Sequence, residues 1–158
     1  MWFSITIIVL LTGVAWFDFK DRSIPVLLLL GLLGLCLFHL LSQKGTGVFL
    51  DLGINWIILL INIGLLIAWF KIRKKELSFF KDVFGWGDLL MLILASLFFT
   101  PVYYILFLLG ASITGLTVGL LIKLLFGNFK QGIPFAGVIA MILIATHICN
   151  FLRYSFFC

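Results

Sequence analysis

Phe84-Gly85-Trp86-Gly87-Asp88 leads straight into Leu89-Leu90-Met91-Leu92-Ile93-Leu94-Ala95-Ser96-Leu97-Phe98-Phe99, so an acid stands at the mouth of an apolar run. A carboxylate in the middle of a bilayer costs roughly 2.5–3.5 kcal/mol on insertion scales, which makes an ionisable residue in such a run a mark of function. Gly85 and Gly87 bracket Trp86 and deliver Asp88. Without a Cβ they permit backbone conformations closed to other residues and let a substrate strand come close. From Gly87 to Phe99 there are only 13 residues, roughly 20 Å as a helix against about 30 Å of hydrocarbon, so the span is short and Asp88 can reach solvent at one face.

The rest of the composition agrees with a membrane. The chain has 158 residues, is 64% hydrophobic and 11% charged, and has a mean hydropathy of +1.31. A soluble domain of this size could not bury that much apolar surface. The formal charge of +5 reads as topology, because Lys and Arg lie at junctions between apolar runs and not along a face that could track nucleic acid. A nucleic-acid role is therefore excluded. Cys36, Cys149 and Cys158 form no CxxC and no metal-ligand spacing with His39 or His147, so neither a metal nor another cofactor is expected.

Outward from the GxGD stretch, the chain divides into about six spans. Met1 to Phe17 is apolar, and its basic residues, Lys20 and Arg22, follow the run and do not precede it. That is the reverse of a cleavable signal peptide, so it reads as a first span with its N-terminus outside. A polar connection, Asp18 to Pro25, comes next, with Pro25 suited to the first turn of the second helix. The second span runs to about Leu41, the third from about Leu52 to Phe70, the fourth from Gly87 to Phe99, the fifth from Val102 to about Phe126, and the sixth from Ile133 to about Leu152. Asp51 falls outside with the Ser42–Gly47 turn. Lys71 to Phe84, the most basic stretch, belongs to the cytoplasm, either in the headgroup region or as a solvated loop. Gly115 and Gly119 form a GxxxG spacing that lets another helix approach.

This layout puts Lys20, Arg22, Lys71, Arg73, Lys74, Lys75, Lys81, Lys123 and Lys130 inside and only Lys44 and Arg153 outside, as the positive-inside rule requires. The same layout brings Asp18 and Asp88 to one face. The expected fold is an all-α integral membrane protein, residues 1–158 forming a single polytopic domain with no soluble domain. Its first and fourth spans should be adjacent around a cleft facing the cytoplasm.

Two carboxylates in close apposition cannot both ionise cheaply, so the pair shares a proton. One activates water as a base, and the other donates to the scissile carbonyl oxygen, hydrolysing an amide with neither metal nor covalent intermediate. Trp86 reads as an interfacial anchor. Asp21, with polar neighbours on both sides, reads as a solvated charge. His39 and His147 are remote from the acids and structural. Among the neutral polar residues of the spans, Asn55, Asn62, Ser96, Ser112, Thr114, Thr117 and Thr146 read as packing or hydrogen-bonding groups. Asn62, near the middle of its span, is the one to examine first.

Gly85-Trp86-Gly87-Asp88 together with Asp18 ahead of Ile24-Pro25 resembles the prepilin peptidases, also called type IV leader peptidases. These are polytopic aspartic proteases distantly similar in their G-x-G-D motif to presenilin and signal peptide peptidase. Ile133-Pro134-Phe135 is similar to the family's late I-P-F element. The resemblance implies that Asp18 and Asp88 are the catalytic pair, with Gly85, Trp86, Gly87 and Pro25 as motif and support. It implies a prepilin or pseudopilin as substrate, cut just after the glycine that ends a short basic leader, in a bacterial cytoplasmic membrane. Three features depart from the pattern. Leu90 stands where the family commonly has Lys, Ala136-Gly137 replaces the usual Gly-Pro, and no paired CxxC extension is present, which resembles a short form without methylation. Phe17 before Asp18 and the lack of a Pro-Ala-Leu element argue against a signal-peptide-peptidase-type protease. A proton or cation carrier would be expected to place more polar groups at mid-bilayer.

Overall fold

Six helices account for the described residues 2–21, 23–44, 48–72, 85–126 and 134–156 of the computed structural model. They are α1 (Trp2–Asp21), α2 (Val26–Lys44), α3 (Val48–Ile72), α4 (Trp86–Ala95), α5 (Pro101–Phe126) and α6 (Phe135–Phe156). Among the described residues there is no strand. Most of the basic 71–84 stretch and the 127–133 connection lie outside the described residues.

Helix boundaries differ from the expected spans in three informative ways. α1 continues to Asp21, so Asp18 sits on a helix and not in a connection. α3 starts at Val48, which places Asp51 in its first turn, where a carboxylate meets the positive end of the helix dipole. Pro25 stands just before α2 as its cap, and its carbonyl accepts the N–H groups of Leu28 at 3.0 Å and Leu29 at 3.3 Å.

The core draws mainly on α1, α2, α4 and α6, with Leu52 and Leu59 of α3 and Tyr104, Phe107 and Ala111 of α5 joining it. Ile7, Leu11 and Val14 of α1, Leu29, Leu32 and Cys36 of α2, Met91, Leu94 and Ala95 of α4, and Ala136, Ile139, Ala140 and Leu143 of α6 are all buried in one cluster. Each set recurs at three- and four-residue spacing, one stripe per helix. α6 is the common partner of α1, α4 and α5. Small residues, Ala136, Gly137 and Ala140, let its backbone come close to its neighbours. Among the described residues α1 and α4 contribute to one apolar cluster, and the closest backbone packing of each is on α6.

α3 and α5 flank this core. Among the described residues they are the two helices long and apolar enough to cross a membrane, over Val48–Trp69 and Pro101–Ile122. Little of either is buried; Leu60, Leu65, Leu116 and Leu124 project outward. An apolar surface of that extent needs a hydrocarbon solvent.

α4 is even shorter than its apolar run, because the chain turns at Ser96–Phe98. Ten residues rise only about 15 Å, so its C-terminal carbonyls end inside the apolar interior and need partners. Leu97 and Phe98 N–H groups return to Leu94 and Ala95. The Tyr104 hydroxyl donates to Leu92 O at 3.0 Å. The Ser96 hydroxyl donates to Ile93 O at 2.6 Å and receives Trp56 Nε1–H at 3.2 Å. Fully buried Asn55 gives both amide hydrogens, to Ser96 O at 2.9 Å and Phe99 O at 2.8 Å. Asn62 is exposed, so the amide that matters on α3 is Asn55.

Candidate active site

Asp18 lies one turn before the end of α1, on the stripe that continues from Leu11, Val14 and Ala15, and is only 7% exposed. A buried carboxylate needs donors. One comes from α6: the N–H of Gly137 donates to Asp18 Oδ2 at 2.6 Å, across 119 residues of sequence. Gly137 is the third residue of α6, where backbone N–H groups have no intrahelical acceptor and the dipole favours negative charge. The contact also requires glycine. A Cβ at 137 would meet the Phe19 ring at 2.8 Å and Asp18 Oδ2 at 3.1 Å.

Asp88 lies at the opposite end of its own helix, the start of α4. It is in the first turn, partly buried, and its Oδ2 accepts the N–H of Gly85 at 3.2 Å. Gly85 has no side chain to return a bond, so this is one half of a capping box. Both acids thus sit at helix N-termini, Asp18 at that of a distant helix and Asp88 at its own.

The glycines of the motif act through space and not through backbone conformation. Gly85 has φ −75° and ψ 149°, which any residue adopts. A Cβ on Gly85 would come within 3.3 Å of Asp88 Oδ2, and one on Gly87 within 3.2 Å of Ile24 Cδ1. Ile24, beside Pro25, therefore seats the α1–α2 connection on the start of α4, and the two motifs touch. Trp86 is 64% exposed at the first position of α4, a suitable place for an interfacial indole. Asp21 and Lys20 are exposed. Of the late I-P-F element, Ile133 lies outside the described residues, Pro134 is buried, and Phe135 packs so closely on Gly115 that a Cβ there would lie 2.8 Å from its ring.

Comparison with protein families matches residues 5–120, well over half of the chain, to the type IV leader peptidase family. The chain belongs to that family. The match takes in Asp18, Pro25 and the whole GWGD stretch and ends within α5. Comparison with curated proteins and with solved structures finds no match. As a type IV leader peptidase the protein is a peptidase of a membrane-associated family.

Two features of this leader peptidase go beyond the sequence reading. Asn55, expected as a packing or hydrogen-bonding group, and Tyr104, not singled out there, bond the carbonyls at the end of α4. At the opposite end of the bundle from the acids, Cys36, His39 and His147 line a common cavity of about 150 Å³ with Ile7 and Leu97. His147 is set edge-on to Phe98 at 5.1 Å. The i, i+3 spacing of Cys36 and His39 put them on one helix face, and that spacing was the available signal. Among the described residues no group of three could hold a metal ion.

Proposed function

We propose that this chain is a membrane aspartic endopeptidase that removes the short basic leader of prepilin- or pseudopilin-like proteins at the cytoplasmic face of a bacterial cytoplasmic membrane. In this reading six helices cross the bilayer, the N-terminus is outside, and the lipid bilayer and the pilin-like substrate are its partners, with no nucleic acid. The observation that carries the proposal is that the family match spans both Asp18 and Asp88.

One carboxylate takes a proton from water as its oxygen bonds to the scissile carbonyl carbon. The other, protonated, donates to the carbonyl oxygen. Collapse then breaks the C–N bond: one hydroxyl of the intermediate returns its proton to the second carboxylate, and the departing amine takes the proton held by the first. Each acid accepts a backbone N–H at a helix start, which helps to fix its orientation.

The test is cleavage of a co-expressed prepilin-like substrate by wild type, Asp18→Asn, Asp88→Asn and Asp21→Asn, with insertion of each variant verified. The first two should lose at least about 10²-fold in rate, the scale of a removed general acid or base, and Asp21→Asn should cleave normally. Retained cleavage by Asp18→Asn or Asp88→Asn removes that residue from the mechanism.

A further inference from the structure

Asp18 is held at a place that the family match does not reach. The matched region stops at residue 120, whereas the N–H bound to Asp18 belongs to Gly137. We propose that Gly137 is a positioning residue for peptide hydrolysis, acting through Asp18 by its main-chain N–H and by its lack of a side chain. The proposal rests on the reading of Asp18 as one of the two catalytic acids.

Three observations converge on this glycine. Its N–H to Asp18 Oδ2 distance is 2.6 Å, a close contact in the direction that a charged acceptor shortens such a bond from the roughly 2.7–3.2 Å usual for nitrogen donors. Asp18 is 7% exposed and Gly137 is buried, so solvent is poorly placed to substitute for that donor. The space at Gly137 Cα is filled from α1 by Phe19 and Asp18 themselves. The bond ties the last turn of α1 to the first turn of α6, and the connection from α1 to α2 rests on α4 through Ile24 and Gly87. Gly137 thereby sets where the Asp18 carboxylate points relative to the helix that carries Asp88. The role is orientation: Gly137 touches Asp18 and acts on the substrate only through it.

The experiment replaces the amide between Ala136 and Gly137 by an ester in the full-length protein, which removes the N–H and adds no atom to the side. It is paired with Gly137→Pro, which removes the N–H by mutation alone, and with Gly137→Ala, which keeps the N–H and adds one methyl. Each is assayed in vesicles on a synthetic prepilin-like peptide with a basic leader ending in glycine. The expected result is a loss of about 10- to 100-fold in kcat for the ester protein, the scale of one hydrogen bond to a charged group. KM should stay within about twofold, because substrate binding is untouched. Gly137→Ala falls between wild type and Gly137→Pro.

A wild-type kcat in the ester protein overturns the proposal, and so does a loss confined to KM. A thermal midpoint for the ester protein lowered enough to account for the lost activity also overturns it, since that is what a merely structural bond would give. Asp18→Asn run in the same assay separates this inference from the one beneath it. If Asp18→Asn is inactive and the ester protein is normal, only the role of Gly137 fails; if Asp18→Asn cleaves, the assignment of Asp18 itself fails.

Discussion

Gly87 shows how much a single absent methyl can carry. The Cβ it lacks would stand 3.2 Å from Ile24 Cδ1, a contact that the end of a flexible side chain can yield by a few tenths of an ångström. Gly87→Ala should therefore retain most activity. Gly87→Leu cannot be accommodated that way, because overpacking costs about 1–3 kcal/mol, and it should push the α1–α2 connection off the start of α4 with a loss of about tenfold or more in cleavage rate. Adding Ile24→Ala should recover a large part of that loss. Failure of the second change to rescue the first would mean that the two motifs do not meet through this pair. Sequence reading found the glycines but credited them with unusual backbone conformations. Their value lies in what packs against them, and a chain read in one dimension does not reveal the neighbour. The same holds for Ala136-Gly137. It counts as a departure from the family pattern, yet Gly137 supplies the N–H that Asp18 accepts, a bond that a proline at 137 could not make.

At the scale of the element, α4 is the informative helix. Its brevity was legible, since the run ahead of Thr100-Pro101 is too short to span, and its start was legible from the glycines. Its end was not. α3 is apolar on all sides, so no periodicity marks which face turns inward, and position along the helix favoured Asn62 over Asn55. The structure reverses that order, because the carbonyls released where α4 stops lie opposite the first half of α3. Asn55→Leu strands Ser96 O and Phe99 O in an apolar interior. It should lower stability by about 1–3 kcal/mol, the desolvation cost of an unmade bond, read as a reduced thermal midpoint in detergent. Tyr104→Phe should cost less, about 0.5–1.5 kcal/mol, because Leu92 O also accepts the Ser96 N–H at 3.1 Å. If Asn55→Leu melts with the wild type, Asn55 does not hold the end of α4.

On the scale of the whole molecule, the contacts sort the helix termini into two groups. The end of α1, the start of α2, the start of α4 and the start of α6 meet through Asp18, Ile24, Gly87 and Gly137. At the other end, Ile7 of α1, His39 of α2, Leu97 beyond α4 and His147 of α6 line one cavity. Asn55 of α3 and Tyr104 of α5 reach the same end of α4. Successive helices therefore alternate in direction, and six alternating helices place the first group on one side of a bilayer if every one crosses it. In the proposed topology the excess of Lys and Arg puts that side in the cytoplasm. Single cysteines at the exposed positions Lys20, Ser42 and Thr100, in a background lacking Cys36, Cys149 and Cys158, make the prediction concrete. A membrane-impermeant maleimide added to intact spheroplasts should label positions 42 and 100 and spare 20, and inverted vesicles should give the opposite pattern. Labelling of 20 from outside would reverse the orientation and put the acids on the wrong side for a cytoplasmic leader. Labelling of 20 and 42 from the same side would mean that α2 does not cross, and the sixfold crossing would fail with it.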